Sequence, residues 1–459
     1  MSLRALKMFK RPRPEPSCKK DSTVSTNNTT PSVSRYFSHQ LYYQITRFFL
    51  FGYALCAIAF PDVGEVFRAG FLLLSLPLLY THWPQLKKDP IMWAFFGVII
   101  VQCLSWANSL THIPDVANAY PHVDRLAKLF LLVPIGLALQ GRKDAVITLA
   151  ACFVLGVFIA CYTQSDFSSQ IQRLLHTHRV DFGLKNAQYT SMLGGVIAII
   201  SAFSFYLADK SRWTIRAFFA LSAVLGLALT LVSQSRQVWL ALAIVIALTP
   251  ALMFIVGLIK GKKKLLLGYA FVVVTLFAVS QSDYIQSRAL KESSVISSVV
   301  QGNLDNIPMT SVGVRLNSWL AAWDVFQKSP LVGLGENGIG YVISSSEKLS
   351  ELKKTVPKYS NLSHLHSNHI ETLVAYGLAG FALILFTYFQ LAKRCFVARD
   401  TSENGKIVAF FSIAFFIYWL TINAFETFNS RSLGVFAFVI ISGCFYSLTS
   451  AKNNTQGED

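Results

Sequence analysis

Long apolar blocks, repeated along most of the chain, are the feature that most constrains its fold. Each block has about 17–25 residues, the length that a helix needs to cross the hydrocarbon core of a bilayer. A soluble protein in which 53% of the residues are hydrophobic would instead show amphipathic periodicity. The sequence therefore predicts an all-α polytopic membrane protein. Its twelve predicted transmembrane helices lie at 41–60, 66–83, 91–110, 124–140, 145–163, 189–207, 217–232, 237–257, 265–280, 368–391, 407–424 and 433–449.

Lysine and arginine are divided unevenly between the two sets of connecting loops. The set on the side of the N-terminus carries most of them, in the loops 84–90, 140–144, 208–216, 260–264 and 392–406. The short loops of the other set hold only Arg173, Arg179, Lys185, Arg236 and Arg431. Because cytoplasmic loops are enriched in basic residues, both termini are predicted to be cytoplasmic. The net charge of +17 then follows from topology and contact with anionic membrane lipids, and it requires no nucleic acid.

A long polar segment between the ninth and tenth apolar blocks divides the chain. Residues 1–40 are basic, rich in Ser, Thr, Asn and Pro, and lack the apolar core of a signal peptide, so they predict a disordered cytoplasmic tail. Residues 281–367 form an outside loop that is too long for a simple connection and is expected to be functional. The predicted order is the tail 1–40, helices 1–9 at 41–280, a mostly helical lid loop at 281–367, helices 10–12 at 368–449, and a cytoplasmic tail at 450–459.

One part of the lid loop predicts a helix between Val314 and Gln327. Its apolar side chains recur at three- and four-residue steps, at Leu316, Trp319, Leu320, Trp323 and Phe326. We expect this face to pack against the membrane domain or to lie in the membrane interface, rather than to stack on sugars. Pro330 ends the helix, and the glycine-rich stretch 331–340 follows as a turn-rich loop with backbone amides available for close contacts.

Three histidines, His364, His366 and His369, stand where the lid loop ends and an apolar block begins. Ionisable side chains at the mouth of a membrane helix are costly, and therefore indicate function. A metal site of His366 and His369 with Glu371 is one interpretation, but acidic residues are sparse on this side and no HExxH pattern occurs. A single histidine is simpler, because a near-neutral imidazole can take a proton from a sugar hydroxyl. We predict His366 as the general base, with His364 and His369 shaping the site and no metal or other cofactor.

Three arginines, Arg179, Arg236 and Arg315, lie near span ends on the same side as these histidines. An arginine presents a permanently charged fork that suits phosphate oxygens. The alternative is that each one reaches lipid headgroups or pairs with a carboxylate, such as Asp166, Asp181 or Glu426. Because three of them gather on one side with the histidines, we predict a phosphate site. Lys185 and Arg288 are assigned to headgroups or carboxylates.

Three short motifs occur in a fixed order in the second half of the chain. They are Ser235-Arg236 at the start of a span, Arg315 with Trp319 and Pro330-Leu331-Val332-Gly333-Leu334-Gly335, and His366-Ser367 followed by Gly377-Leu378-Ala379-Gly380. In this order, with a long outside loop before the histidine, they resemble the O-antigen ligase and polymerase superfamily of bacterial envelope glycosyltransferases. Many members have Asn directly after the histidine, where this chain has Ser367 before Asn368.

The resemblance implies a GT-C-like membrane glycosyltransferase of the bacterial inner membrane, with its active site on the periplasmic face. The donor would be a glycan on undecaprenyl pyrophosphate, and the acceptor of a ligase would be a sugar hydroxyl of lipid A-core. His366 would be the base, and the three arginines would cradle the pyrophosphate in place of a metal, giving an inverting transfer. The supporting positions are His364, Ser367, His369, Gly377 and Gly380.

Two other functions stay open on the sequence. An O-antigen polymerase or a protein O-oligosaccharyltransferase would use the same donor, and only the acceptor would differ. A polysaccharide transporter would also have many spans, but transporters place ionisable residues near the bilayer midplane, and here the span interiors are nearly free of charge. The O-antigen ligase is therefore the predicted function.

Overall fold

The computed structural model describes residues 33–283, 286, 293–302, 307–402 and 404–450. Most of the predicted N-terminal tail, the last nine residues, 451–459, and Arg288 lie outside the described residues. The chain divides into a small unit, Met1–Tyr43, and a large unit, Gln44–Asp459, which holds the sites discussed below. Every regular element in the described ranges is helical, which confirms the predicted all-α class.

The α-helices are numbered here in chain order. They are α1 (Val33–Cys56), α2 (Pro61–Thr81), α3 (Trp83–Leu86), α4 (Pro90–His112), α5 (Asp124–Ala127), α6 (Leu132–Leu139), α7 (Lys143–Thr163), α8 (Phe167–Leu175), α9 (Ala187–Leu207), α10 (Trp213–Val232), α11 (Arg236–Ile255), α12 (Lys262–Ser280), α13 (Ser293–Val300), α14 (Ser311–Phe326), α15 (Asn337–Ser345), α16 (Glu347–Thr355), α17 (Asn368–Val397), α18 (Gly405–Asn423) and α19 (Ser432–Ser450). Short 3₁₀ helices lie at Pro114–Val116, Lys128–Leu131, Pro357–Tyr359, Ala398–Asp400 and Phe428–Ser430.

Within the described ranges, ten helices are long and apolar enough to cross a membrane, so the predicted count of twelve is not confirmed. The ten are α2, α4, α7, α9, α10, α11, α12, α17, α18 and α19. The block 41–60 falls in α1, which begins at Val33, inside the predicted tail, and carries polar residues such as Gln44 and Arg47. The block 124–140 is broken into α5, a 3₁₀ turn and α6, because the charged residues at its start cannot lie in hydrocarbon.

Polar contacts gather at one end of the spans. Asp89 accepts hydrogen bonds from Arg394 and from the Tyr446 hydroxyl, the latter at 2.7 Å. Arg212 pairs with Asp144 at 2.6 Å. All five residues lie in or next to loops predicted to be cytoplasmic, so those loops share one end of the bundle.

The helix α14 confirms the predicted helix of the lid loop, but its buried face is not the aromatic one. The buried residues are small or polar: Gly313, Val314, Asn317, Ser318, Ala322 and Val325. Leu320 and Trp323 of the predicted apolar face are 40% and 57% exposed. Small residues let α14 approach its neighbours closely. Of its large side chains, Leu320 and Trp323 face outward, whereas Trp319 turns inward, with its ring 6.3 Å from that of Phe425.

The glycine-rich loop after α14 is inserted into the hydrogen-bond ladder of α17. The amides of Leu378 and Ala379, which would normally bond four residues back, instead donate to the carbonyls of Pro330 and Leu331 at 2.8 and 3.0 Å. The carbonyls of Val374 and Ala375 that this leaves open accept from the amides of Leu334 and Gly335 at 2.9 and 2.8 Å. The insertion satisfies all four groups and breaks α17 without leaving backbone polar groups unpaired.

This insertion needs glycine at the break. Gly377 has φ 62° and ψ −167°, a conformation that only glycine adopts readily. A Cβ atom there would lie 2.3 Å from the Leu331 carbonyl carbon. Gly333 faces the same junction with φ 70°, and a Cβ on it would lie 2.5 Å from the backbone of Ala375.

We therefore expect Gly377→Ala to destabilise the protein. The strained backbone alone costs about 1–3 kcal/mol, and the contact with Leu331 adds to it. Gly340→Ala is the matched control, since Gly340 lies in α15 with nothing within 4 Å of an added Cβ. Thermal unfolding in detergent should show a lower midpoint for Gly377→Ala and an unchanged or slightly higher one for Gly340→Ala. Equal midpoints would contradict this account of the break.

Candidate active site

Two imidazoles and a guanidinium converge on one buried carboxylate, Glu426. This residue follows α18 and its side chain is 3% exposed. Its Oε1 atom lies 3.5 Å from Nε2 of His364, and its Oε2 atom lies 3.5 Å from Nδ1 of His366. Nη2 of Arg315, on α14, lies 3.9 Å from the same Oε2 atom. We call these four residues the histidine–glutamate cluster.

Local backbone structure places His366 at the entrance to α17. His366 has φ 55°, a left-handed conformation that is unfavourable for a non-glycine residue and occurs often at functional sites. Ser367 caps the helix by accepting from the amide of Ile370 at 3.4 Å. The Asn368 amide donates to the carbonyl of Glu426 at 3.1 Å, so the helix start and the carboxylate segment are joined directly.

Electrostatics within the cluster favour an ionised Glu426 and a neutral His366. Burial opposes ionisation of Glu426, but its contacts with His364 and His366 outweigh burial and hold the pKa of the carboxyl below its ordinary value. Burial lowers the pKa of His366; Glu426 opposes this effect, while the proximity of His364 and Arg315 adds to it. At neutral pH the His366 ring is therefore unprotonated on one nitrogen and available as a base.

The position of Glu426 selects which nitrogen of His366 carries the proton. The carboxylate lies on the Nδ1 side of the ring, so it favours the tautomer with hydrogen on Nδ1 and leaves Nε2 as the proton acceptor. The 3.5 Å separation is long, and neither Nδ1 of His366 nor Oε2 of Glu426 makes a closer hydrogen bond in the part of the chain that the structure describes. A small movement of either side chain would form that bond.

The three predicted arginines line a single cavity of about 380 Å³. Arg179 is held by its Nε atom, which donates to the carbonyl of Ser233 at 2.9 Å. Arg236 is the first residue of α11, directly after Ser235. Arg315 belongs both to this cavity and to the histidine–glutamate cluster, so the two are adjacent. The cavity thus combines three permanent positive charges with the apolar side chains of Trp319 and Phe425.

The other predicted supporting residues are spread over different places. His364 is part of the histidine–glutamate cluster, and Ser367 caps α17. His369 instead turns toward α18, where its Nε2 atom bonds with the carbonyl of Leu420 at 2.9 Å. Gly377 lies at the break in α17, and a Cβ on Gly380 would lie 2.4 Å from the Cβ of Tyr376, one turn earlier in the same helix. His369 and the two glycines therefore support the fold around the cluster and are not part of it.

A second buried carboxylate, Glu371, fixes the segment before His366. It accepts from the amide of Leu365 at 2.9 Å and from Nη2 of Arg125 at 2.8 Å. Nη1 of Arg125 also donates to Glu336 at 2.7 Å. Trp319 completes the support, since its indole N–H donates to the carbonyl of Leu365 at 3.0 Å. Glu371, predicted as a candidate metal ligand, is thus committed to holding the backbone.

Sequence reasoning did not identify the central role of Glu426. It named this residue only as one counter-ion for an arginine, and 60 residues separate it from His366, so no spacing pattern linked the two. The available signal was its isolation: Glu426 is the only acidic residue in the connection between α18 and α19.

His364, His366 and Glu426 are also the residues that could hold a metal ion, because their ligand atoms lie within 4.8 Å of one another. However, the guanidinium of Arg315 already lies 3.9 Å from Oε2 of Glu426. A divalent cation at that oxygen would be repelled by this permanent charge. The donor set therefore fits a cluster whose positive charge comes from arginine better than it fits a metal centre.

Comparison with known proteins relates part of the chain to one family. Residues 221–385 match the family model described as O-antigen ligase. The chain is also similar to an uncharacterised protein of Haemophilus influenzae (strain ATCC 51907 / DSM 11121 / KW20 / Rd), with 21% identity over 335 residues that cover 70% of this chain and 78% of that protein. The segment matched by the family model contains Arg236, Arg315 and His366, whereas Arg179 and Glu426 lie outside it.

The ten apolar helices and this family match describe a multi-pass membrane protein. The motifs recognised in the sequence are those that build the break in α17, the arginine-lined cavity and the histidine–glutamate cluster. Over residues 221–385, the chain is thus similar to the family described as O-antigen ligase.

Proposed function

We propose that this protein is an O-antigen ligase that transfers a glycan from undecaprenyl pyrophosphate to lipid A-core in lipopolysaccharide biosynthesis. It would act in the bacterial inner membrane, with both termini in the cytoplasm and the site on the periplasmic face. The observation that carries the proposal is the adjacency of a cavity with three arginines to a histidine held by a buried carboxylate. Such a pair supplies the two things that the transfer needs, a cradle for a diphosphate and a base for a hydroxyl.

The arginine-lined cavity would bind the diphosphate of the donor. Arg179, Arg236 and Arg315 would each offer forked N–H donors to its oxygens. As the bond between the anomeric carbon and the diphosphate breaks, the electron pair leaves with the diphosphate. Fixed guanidinium charges would stabilise that growing negative charge without a metal. Apolar wall residues such as Trp319 and Phe425 suit the start of the isoprenoid chain.

His366 would act on the acceptor. Its Nε2 atom would take the proton from a sugar hydroxyl of lipid A-core, and the oxygen would attack the anomeric carbon from the face opposite the diphosphate. A single displacement of this kind inverts the anomeric centre. Glu426 would act as a positioning residue, since it keeps the proton on Nδ1 and stabilises the imidazolium that forms.

Two other outcomes are open to the same chain. An O-antigen polymerase or a protein O-oligosaccharyltransferase would use this donor site with a different acceptor, and the family match covers the polymerase type as well. A transporter would need its ionisable groups near the bilayer midplane. The cluster instead joins residues that flank span ends: His366 before α17 and Glu426 after α18.

Replacing His366 by alanine should abolish transfer. The expected loss is about 10²–10⁴-fold, the usual contribution of a general base. The measurement is transfer from undecaprenyl-pyrophosphate glycan to lipid A-core by purified protein in the presence of a chelator. His112→Ala, which removes an exposed histidine at the end of α4, is the control. Loss of native activity in the chelator would refute the metal-free mechanism, and growth of the lipid-linked glycan or transfer to protein would identify the polymerase or the oligosaccharyltransferase.

The pH profile should carry the signature of a buried base. The free histidine must be neutral to act, and its pKa is below the ordinary value of 6.5. Transfer measured as kcat/KM should therefore stay high at neutral pH and fall only below pH 6.5. The groups facing His366 are Glu426, His364 and Arg315.

Glu426→Gln removes the group that raises the pKa of His366. We expect the acid limb to move to lower pH while the plateau rate falls, because a neutral amide stabilises the imidazolium less. An acid limb that moves to higher pH, or a profile without an acid limb in the native protein, would contradict this role.

Neutralising Arg236 should impair the chemical step. Arg236→Gln is expected to reduce kcat by about 10²–10³-fold, the usual effect of losing one donor to a developing anion. Lys353→Gln provides the control, because it removes an exposed positive charge from the lid loop far in sequence from the cavity. If both variants transferred at the native rate, the arginine-lined cavity would not be the diphosphate site.

A further inference from the structure

A second, larger cavity is linked to the histidine–glutamate cluster through hydrogen-bonded residues. It has a volume of about 590 Å³, within the range of small-molecule sites, and it shares no wall residue with the arginine-lined cavity. Its walls come from the start of α2, the segment 122–131, the loop 183–185 and the start of α19. All these segments flank span ends on the side of His366, opposite the end that holds Asp89 and Arg394.

Contacts connect this cavity to the cluster by two routes. Arg125 lines the cavity and binds Glu371, which in turn holds the amide of Leu365 next to His366. Ser430 also lines the cavity, and its hydroxyl donates to Oδ1 of Asn368 at 2.8 Å. The cluster thus lines the arginine-lined cavity through Arg315 and is linked to the second cavity by these hydrogen bonds.

Most charges in the wall of the second cavity are already compensated. Arg68 pairs with Glu65, Lys128 with Asp124, and Arg125 with Glu336 at 2.7 Å. Because these side chains are paired, this part of the cavity wall carries little net charge that could attract a charged ligand. They define a polar surface that can bind sugar hydroxyls through both donors and acceptors.

Lys185 is the exception in this wall. Its ammonium lies 4.7 Å above the ring of Tyr189, and the positive charge of Arg431 is a close neighbour. Across the described residues, no carboxylate oxygen lies within 4.0 Å of the side-chain nitrogens of Lys185 or Arg431. Burial and the charge of Arg431 lower the pKa of Lys185, whereas the charge of Glu426 opposes them. Because no carboxylate contacts either cation directly, this part of the wall favours an anion.

The backbone adds to this preference. The 19-residue helix α19 begins at Ser432, which lines the cavity with Ser430. A helix N-terminus attracts anions through its N–H groups and its dipole, and the Ser432 hydroxyl can donate to an anion oxygen. The Ser430 hydroxyl already donates to Asn368. Lys185 and Ser432 thus line one cavity, which shares no wall residue with the arginine-lined cavity.

We propose that the second cavity binds the acceptor through an anionic sugar, whose phosphate or carboxylate is held by Lys185, Ser432 and the N-terminus of α19. This inference rests on the proposed transfer reaction. The acceptor must approach the anomeric carbon from the face opposite the departing diphosphate. It must therefore come from a cavity other than the arginine-lined one. The polar wall binds the sugar rings, and Tyr53 and Phe436 provide apolar faces for them.

The test measures transfer by the full-length protein in nanodiscs, with undecaprenyl-pyrophosphate glycan as donor and lipid A-core as acceptor. Lys185→Gln should raise the KM for lipid A-core about tenfold, the effect of losing one charge-assisted hydrogen bond, and leave the KM for the donor unchanged. Lys185→Arg keeps the charge and should keep a near-native acceptor KM. Lys353→Gln should match the native protein in both constants.

Two modified acceptors identify the anionic group. If the pocket holds a phosphate, removing the phosphates of lipid A-core should raise the acceptor KM of the native protein to the value measured for Lys185→Gln with intact lipid A-core. The same change of acceptor should not raise the acceptor KM of Lys185→Gln any further. Lipid A-core lacking its carboxylate sugars should give that result if the pocket holds a carboxylate. If the acceptor KM of Lys185→Gln stayed about tenfold above that of the native protein with both modified acceptors, the inference would be overturned.

The remaining outcomes separate the inference from the reaction on which it rests. An unchanged acceptor KM in an active Lys185→Gln protein, or a rise in the donor KM alone, would overturn the acceptor site and leave the ligase reaction standing. Absence of transfer by folded native protein would overturn the proposed function and this inference with it.

Discussion

A buried carboxylate stays ionised only when positive charges or hydrogen-bond donors surround it, and Glu426 imposes this condition on the site. Its partners come from separate parts of the chain: Arg315 from α14 in the lid loop, and His364 and His366 from the segment before α17. The backbone carbonyl of Glu426 also receives the amide of Asn368. One side chain therefore brings together the lid, the start of α17 and the end of α18, and each of these elements is placed by the need to neutralise it.

The insertion of the glycine-rich loop into α17 is a second connection between the lid loop and α17, made by backbone hydrogen bonds rather than by charge. Backbone groups at membrane depth must be bonded, and each unsatisfied one costs several kcal/mol in hydrocarbon. A break in α17 is therefore tolerated only because Pro330–Gly335 supplies the missing partners. The two glycine motifs, one in the lid loop and one in α17, meet in this set of hydrogen bonds. Since α14 precedes the glycine-rich loop and His366 precedes α17, these hydrogen bonds set the distance between Arg315 and the histidines.

The sequence predicted what depends on local pattern. Apolar length indicated ten of the spans, and helical spacing indicated α14. Charge on one side of the membrane indicated three arginines, which the structure brings to one cavity. The block at 124–140 was expected to form one span but is divided into α5, a 3₁₀ turn and α6. Apolar content alone does not show that Arg125 forms ion pairs with Glu336 and Glu371.

Contacts between distant segments could not be predicted in this way. Glu426 and His366 meet only after α17 and α18 pack together, and the backbone exchange at Gly377 depends on a loop that lies more than forty residues earlier. The apolar face of α14 was expected to pack against the membrane domain or to lie in the membrane interface. Trp319 does pack, against Phe425, whereas Leu320 and Trp323 are exposed and the closest contacts of α14 come from its small residues.

The use of arginine in place of a metal affects the balance of charge in the site. A guanidinium keeps its charge at any physiological pH, so an empty cavity with three of them would be strongly repulsive. Glu426 relieves part of this repulsion through Arg315, at a distance of 3.9 Å that is too long for a hydrogen bond. On the proposed function, an arriving diphosphate offers Arg315 shorter and stronger contacts than Glu426 does. The Glu426 carboxylate can then interact more strongly with His366 and stabilise the imidazolium as it forms. Binding of the donor and activation of the base are in this way coupled through one oxygen atom of Glu426.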